Sequence, residues 1–317
     1  MAELSFAAYT TDNSKIEIAN VLSYELSRDI DAPCDSLRLH FISDGTLDEI
    51  VKIEAYQNEK LVFNGYADTQ RETIDEKGYS CFVYARSSAC ILLDNEAVPR
   101  SYSCPTSQAL FINNAKDFGF TSKLPMYYLA LNYIVGKGTS CYGAINNFIK
   151  GITGRSIVIN AENELVLPEG EESISLDDYE IISSKKSINR GGLISKADYK
   201  IEGDLGYSHH IKSRFLEKKG VQSSKMINLS SLPVWQREYV AKNVLSTSCL
   251  SYYKLDFVLS GCVPAELYSN AIGKTGFGEL ENYYVTGVCI ILDSKGERTK
   301  LSLCKRLDLE EITYVAE

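Results

Sequence analysis

The chain has 317 residues, 44% apolar and 24% charged, which is the composition of a soluble globular protein long enough for two or more domains. The chain has 33 Lys and Arg and 42 Asp and Glu, which gives a net charge of −9. This charge argues against static nucleic-acid binding unless the cations gather on one face. No segment approaches the roughly 20 apolar residues of a membrane span. The first residues lack the basic and apolar regions of a secretory signal, so neither membrane insertion nor secretion is expected.

Residues 1–95 are typical of β structure. Short alternating runs rich in β-branched and aromatic residues are separated by tight polar turns, and the runs are 15–30, 35–42, 51–74 and 79–86. Gly78 can take the positive φ that the turn after residue 74 needs. Several short strands joined by tight turns predict a sandwich or small barrel, with 61–86 as its closing hairpin.

Residues 96–172 have a helical pattern and are predicted to form a small α/β module. A short helix capped by Ser87 or Ser88 precedes the module. A helix is predicted over 106–120, with Thr106 as its N-cap, Gly119 just past its end and an apolar stripe. The stripe is Ala109, Leu110, Ile112 and Ala115. A second helix is predicted over 138–154, followed by a hairpin around a polar turn.

Strands resume after an acidic junction at 169–173 and predict a second barrel made of 173–210 and 251–317. Residues 211–250 are predicted to be an inserted helical segment. Its helix follows Pro233 and spans 234–250, and its packing residues are Val234, Tyr239, Val240 and Val244. The segment 293–298 is predicted to form a hairpin turn. The chain thus repeats one plan, a β region interrupted by a helical insert, and the predicted fold class is α+β, predominantly β.

The three histidines give little support for a reactive or metal-binding site. His209 and His210 are adjacent and would point to opposite sides of a strand, and His40 stands far from them. The segment 273–276, "GKTG", lacks the earlier glycine of a phosphate-binding loop, because Tyr268 stands at that position. The pair of glycines in 189–193 falls short of a dinucleotide-binding motif. Both segments are predicted to be turns.

The carboxylates Asp94, Glu96, Asp177 and Asp178 do not have the spacing that would set two acids on facing elements, so a glycosidase pair is not expected. A "GxSxG" nucleophile motif is absent. The 9 cysteines form no CxxC pair and predict buried thiols in a reducing cytoplasm rather than disulfides or zinc ligands. The sequence therefore predicts no enzyme, no catalytic residue, no cofactor and no metal.

Several segments resemble the baseplate hub proteins of contractile phage tails, the late-control-like hubs of PBSX-like defective prophages and of tailocins. The carriers are "VFNGYAD" (62–68), "LLDNEAVP" (92–99), "DFGF" (117–120), "TSCYGAINNFIKGITGRSIVINAENELVL" (139–167) and "KKGVQSSKMINLS" (218–230) with the helix of Trp235. The resemblance covers nearly the whole chain and is most specific over 60–170. It concerns structural residues only.

The resemblance implies two tail-tube-like β-barrels per chain, at 1–95 and at 173–210 plus 251–317, with the inserted modules between them. It also implies a homotrimer that adapts a hexameric tail tube above to a trimeric central spike below. Further expected partners are other baseplate proteins and a tape-measure protein, and DNA would pass through the lumen without specific binding. Such a chain would be made in the bacterial cytoplasm and incorporated into a virion or tailocin particle.

Two other functions stay open from the sequence. A receptor- or glycan-binding tail tip would use the 21 tyrosines as exposed platforms. A tail-associated cell-wall hydrolase would need a catalytic constellation that the sequence does not provide. The sequence does not separate a phage from a tailocin.

Overall fold

A computed structural model describes residues 4–76, 78–129, 132–168, 170, 172–230, 232, 234–250, 252–305 and 314–316. The first β region is formed by β1 Leu4–Thr10, β2 Lys15–Ile18, β3 Val21–Asp29, β4 Ala32–Ser43, β5 Ile50–Gln57, β6 Lys60–Asp75 and β7 Gly78–Ser87. The first insert follows directly. It contains α1 Ala89–Asp94, β8 Arg100–Ser103, α2 Ser107–Asn114, β9 Thr121–Ser122, β10 Asn132–Val135, α3 Cys141–Thr153, β11 Val158–Ile159 and β12 Glu164–Val166.

The second half begins with a short β segment and then a second insert. These are β13 Ser173–Ser175, β14 Ile181–Ile188, β15 Lys196–Lys200, β16 His209–Ser213, α4 Arg214–Lys218, β17 Ser224–Asn228 and α5 Val234–Ser248. The remaining elements are β18 Tyr253–Ser260, β19 Asn270–Ile272, β20 Lys274–Thr275, β21 Gly278–Glu279, β22 Tyr283–Asp293, β23 Gly296–Lys305 and β24 Tyr314–Ala316. Three-residue 3-10 turns lie at Lys116–Phe118 and Leu176–Asp178.

One large sheet runs through both β regions. Its strand order is β14-β18-β23-β22-β3-β4-β7-β6-β5-β1-β2, and every neighbouring pair along this path is antiparallel. The strands of the two predicted barrels are therefore joined edge to edge, where β22 pairs with β3. The predicted α+β, predominantly β fold is confirmed.

The two β regions also share one hydrophobic core. Phe6, Phe63 and Leu39 from the first region belong to the same buried cluster as Phe257 and Leu301 from the second. The first insert has its own core around Leu110, Ile145 and Phe148. Buried and more accessible residues mostly alternate along these strands, whereas β22 buries five consecutive residues, Tyr284–Val288.

Local signals for the helices of the first insert are confirmed in most details. The Thr106 side chain accepts a hydrogen bond from the Ala109 amide at 3.1 Å, and Ser140 caps α3 by accepting from the Gly143 amide at 3.0 Å. The helix α2 ends at Asn114, five residues before Gly119, because a 3-10 turn replaces the last predicted turn. Ile112, predicted in the apolar stripe, is exposed instead.

Residues 196–200 and 209–210, predicted as part of the second barrel, and 211–213, predicted as part of the inserted helical segment, form β15 and β16 instead. These strands pair with each other and with 224–228 and 314–316 in a separate four-stranded sheet. The reason is local packing, since this small sheet buries its apolar side chains against Ala241 and Leu245 of α5. Val240 packs on the same cluster, as predicted. Pro233 and the side chains of Val234 and Tyr239 lie outside the described residues.

The expected burial of most cysteines is confirmed, because all nine are free thiols and only Cys104 is exposed. Burial raises the pKa of the Cys262 thiol to about 12 and that of Cys81 to about 11. Among the helices of the described segments, none is both long and apolar enough to cross a membrane.

Candidate assembly interface

The central part of the large sheet is a continuous surface that both β regions build together. Eight strands follow one another as β14-β18-β23-β22-β3-β4-β7-β6. The joint in the middle is formed by β22 and β3, which pair from Gly287↔Asp29 to Leu292↔Tyr24. Four strands thus lie on either side of the joint.

The face of this sheet that points away from the core, here called the open face, is mostly polar, although Ile291 on it is buried. Its rows can be followed across strands, because cross-strand partners point to the same side. One row is Ser260, Arg298, Ile291, Glu25, Arg38 and Tyr84. The neighbouring row is Val258, Lys300, Cys289, Ser27, Ser36 and Arg86. Both rows cross the joint without interruption.

Cations of the open face are mostly paired with carboxylates of the same surface. Arg38 lies 2.5 Å from Glu25 on the next strand, and Lys254 lies 3.4 Å from Asp256. Arg86 contacts both Asp68 and Asp94, at 2.5 and 2.7 Å. Hydrogen bonds from its guanidinium hold the pKa of Asp94 below its usual range. The open face is therefore charged but largely self-neutralised.

The eight-strand sheet ends in two open backbone edges. On one side, β14 pairs with β18, and no strand in the described part of the chain pairs with its other edge. On the other side, β6 pairs with β5 only from Lys60 to Tyr66, so residues 69–75 pair with β7 alone. Unpaired strand edges are ready templates for pairing with another chain. We call these the β14 edge and the β6 edge.

An ion cluster with a half-buried centre, Arg28 and Asp35, and a more exposed rim links the two β regions next to the joint. Arg28 on β3 lies 3.3 Å from Asp35 on β4 and 3.3 Å from Glu266, which belongs to the second region. Glu266 also contacts Lys60 at 3.3 Å. Burial raises the pKa of Asp35, against the Arg28 charge, which lowers it. Gln57 adds a hydrogen bond to the Cys262 sulfur at 2.9 Å.

His40 and His209 lie on different elements and make separate contacts. His40 lies on the open face, opposite Phe82 and Ser23. His209 stacks on Tyr199 and lies 3.2 Å from Asp204, at the start of β16. Within the described ranges, no group of three or more His, Cys, Asp and Glu side chains is placed to hold a metal ion.

The four acidic residues considered from the sequence make separate structural contacts. Asp94 pairs with Arg86, Glu96 accepts the Gly138 amide and Asp177 accepts the Lys274 amide. Asp178 lies beside Asp177 in a 3-10 turn and is exposed. The structure thus does not bring Asp94 or Glu96 into one acid pair with the other two.

The segment 273–276, predicted to be a turn, instead forms strand β20 at Lys274–Thr275, and the turn of the β20–β21 hairpin lies at 276–277. The Asp177 carboxylate holds the start of this hairpin by accepting a hydrogen bond from the Lys274 amide.

Sequence reasoning missed the sheet edges, the ion cluster and the pairing of the open-face cations. Alternation over 21–29 and 36–43 signalled which side chains share a face. It could not signal partners such as Arg28 and Glu266, which are distant in sequence.

No protein-family model matches the sequence, and no curated protein matches it. Solved structures do match. A tail protein from Neisseria meningitidis MC58 is similar with a TM-score of 0.76 at 13% identity, over 98% of this chain and 99% of that chain. The 43 kDa tail protein of prophage MuSo2 from Shewanella oneidensis gives 0.74 at 12% identity, over 96% and 99%.

A third similar structure is the E. coli c3393 protein, a component of the type VI secretion system with structural similarity to the T4 bacteriophage tail proteins gp27 and gp5. Its TM-score is 0.58 at 8% identity, over 92% of this chain and 74% of that chain. At these identities the likeness shows the fold. The chain therefore has the fold of these tail proteins along nearly its whole length.

Proposed function

We propose that this chain is a structural, non-enzymatic baseplate hub of a contractile tail, a homotrimer that joins a hexameric tail tube to a trimeric central spike. The observation that carries the proposal is the eight-strand sheet with an open edge at each end. The fold that this chain shares with phage tail proteins and with a type VI secretion component supports the same proposal.

Strand direction favours closure into a ring. Successive strands alternate in direction, so the first and last of eight, β14 and β6, run in opposite directions. Head-to-tail copies can then pair the β14 edge of one protomer with the β6 edge of the next in the antiparallel manner. Such a contact is heterologous and, once the ring closes, pairs both of these edges in every protomer.

Three copies match both symmetries that a hub must satisfy. Each chain supplies two four-strand halves, so a trimer presents six similar halves to a six-fold tube and three chains to a three-fold spike. A closed ring of three eight-strand sheets at about 4.8 Å per strand has a circumference of about 115 Å. Its lumen is then roughly 37 Å across between backbones before strand tilt, wide enough for a folded chain such as a helix of about 10–12 Å.

The two edges carry complementary charges on the core side of the sheet. Lys186 on β14 lies opposite buried Leu255, and Glu72 on β6 lies opposite buried Cys81, so both face the same side. Pairing the two edges would bring an ammonium near a carboxylate at each of three interfaces. Opposite charges across neighbouring strands stabilise pairing by about 0.2–1 kcal/mol.

The remaining partners follow from the same role. The hub would contact the tube protein on one side, the spike on the other, further baseplate proteins around it and a tape-measure protein in the lumen. A self-neutralised open face would let DNA or protein pass without specific binding. The chain would be made in the bacterial cytoplasm and would end in a virion or tailocin particle.

The test is the mass of the purified chain by light scattering, alone and with the central spike protein. A trimer of three 35.3 kDa chains is expected. Lys186→Glu and Glu72→Lys should each weaken the trimer, and the double variant should restore it. Lys225→Glu, on the separate small sheet, is the matched control and should change nothing. A chain that stays monomeric even with the spike protein refutes the hub.

A further inference from the structure

The loop between β15 and β16 holds one leucine out into solvent. Leu205 is fully exposed, more than any other large apolar side chain in the described segments. Glu202 and Tyr207 on the same loop are exposed as well. A single exposed apolar side chain is ordinary on a protein surface. What distinguishes Leu205 is the ordered loop that carries it.

Asp204 fixes the shape of this loop. Its carboxylate accepts hydrogen bonds from the Ile201 amide at 2.9 Å and from the Ser208 hydroxyl at 3.2 Å, and it lies 3.2 Å from His209 Nε2. The two ends of the loop are thus tied to one carboxylate. Leu205, the next residue, is presented in a fixed position, which lowers the entropy lost when a partner binds it.

An apolar cavity lies between the two inserts of the chain, and its volume is about 650 Å³. Sites that bind ligands commonly enclose about 300–1,000 Å³. None of the described residues that line the cavity is charged, and they include Met126, Tyr128, Phe148, Ile152, Leu232 and Val240. Met126 and Tyr128 are 78% and 56% exposed, so the cavity opens to solvent beside them. The cavity therefore fits an apolar side chain that enters from outside.

A second cavity of about 330 Å³ adjoins the first at Gly151 of α3 and is more polar. Lys150 lines it and forms no ion pair within the described residues. The side-chain nitrogen of Asn243 is buried there without a hydrogen-bond partner. None of the described residues lining either cavity is acidic, so a carboxylate beside the entering apolar side chain would be favoured. The loop offers this combination, because Glu202 lies three residues before Leu205.

Strand order brings the loop of one copy near the cavity of the next. Strands β7 and β14 run in the same direction, the first insert follows β7, and the second lies between β14 and β18. In the proposed ring, β14 of one protomer pairs with β6 of the next, so β7 of that next protomer is two strand spacings away, about 10 Å. The second insert of one copy and the first insert of the next therefore leave neighbouring positions at the same end of the sheet.

We propose that Leu205 of one protomer enters the apolar cavity of the next, with Glu202 directed towards Lys150 and Asn243, and that this contact stabilises the ring. The occupant is a second copy of the chain, because full exposure of Leu205 shows that the loop does not fill the cavity of its own chain. The contact is heterologous, as a head-to-tail ring requires. This inference rests on the proposed homotrimer and adds a contact outside the large sheet.

The test is disulfide cross-linking between two copies that each carry one new cysteine. Leu205→Cys in one copy and Met126→Cys in the other, both with Cys104→Ser to remove the exposed native thiol, are coexpressed and treated with oxidised glutathione. A tag on one copy separates the mixed pair from like pairs on a gel. We expect at least tenfold more mixed disulfide than in the control, in which Met226→Cys replaces Met126→Cys. Met226 is 68% exposed and lines neither cavity.

The outcomes separate this contact from the proposed hub. A trimer by light scattering that gives no more mixed disulfide than the control would overturn the contact and leave the hub standing. Leu205→Cys and Met126→Cys combined in one chain should give covalent trimers, and a disulfide within the single chain would also overturn the contact. A chain that stays monomeric even with the spike protein overturns the hub, and this contact with it.

Discussion

The ion cluster at the joint predicts a specific loss of stability when Arg28 is replaced by methionine. Methionine keeps most of the apolar stem of the side chain, so the change removes the charge with little loss of packing. Asp35 is then left buried without its cation, while Glu266 retains Lys60. Breaking a buried pair costs about 3–5 kcal/mol, and we expect about 3 kcal/mol because Arg28 and Asp35 remain 13% and 17% exposed.

The raised pKa of Asp35 also predicts how this loss of stability changes with pH. Burial raises the native pKa of Asp35, so the native state binds more protons than the unfolded state between the unfolded pKa, about 3.9, and the native one. Stability from this group is therefore present below about pH 3.9 and is lost as the pH rises through its native pKa. Removing Arg28 raises that native pKa further, so the difference in stability between variant and wild type should increase with pH and be larger at pH 7 than near pH 4.5.

Urea unfolding of Arg28→Met and wild type at pH 7 and pH 4.5 measures both effects. Arg38→Met is the matched control, because the Arg38–Glu25 pair is exposed and should contribute no more than about 1 kcal/mol. Arg28→Met combined with Asp35→Leu should recover most of the loss, since no unpaired charge remains. A cost for Arg28→Met equal to that of the control, or one independent of pH, would refute the reasoning.

Two further predictions concern packing and thiol reactivity. Gly65→Ala should destabilise the chain by about 2 kcal/mol in urea unfolding, because its Cβ would lie 2.3 Å from the Arg86 carbonyl oxygen and 2.6 Å from the Phe63 ring, whereas Gly45→Ala has no atom within 4 Å and should be neutral. A disulfide reagent at pH 8 should label one thiol per native chain rapidly and should lose that phase in Cys104→Ser, because burial holds the other thiols back. Several fast thiols, or a fast phase that survives the substitution, would contradict this.

The sequence predicted the elements that depend on interactions between residues close together in the chain. Alternation predicted the strands of both β regions, and Thr106 was correctly identified as a cap because a cap needs only a side chain and the amide three residues on. The end of α2 was wrong for the same local reason, since Gly119 does sit in the left-handed conformation but closes a 3-10 turn rather than the α-helix.

Features that depend on distant pairing could not be predicted. Strands 196–200 and 209–213 have the same alternating pattern as their neighbours, and only the presence of α5 decides that they form their own sheet. The joint between β22 and β3 likewise brings together residues that no local pattern connects. Both open edges follow from that pairing, so the candidate interface emerges only in three dimensions.

The shared core has a consequence for how a ring of these chains would behave. Phe257 and Leu301 of one half belong to the same buried cluster as Phe6 and Leu39 of the other, and Arg28 crosses between them. Moving one half relative to the other would expose apolar surface at about 25 cal/mol per Å² and uncover a buried charge pair. The two halves are therefore held as one rigid unit. In a trimer, the β6–β7 and β22–β23 hairpins of each chain would keep a fixed spacing, and adjustment would be confined to the three edge contacts between chains.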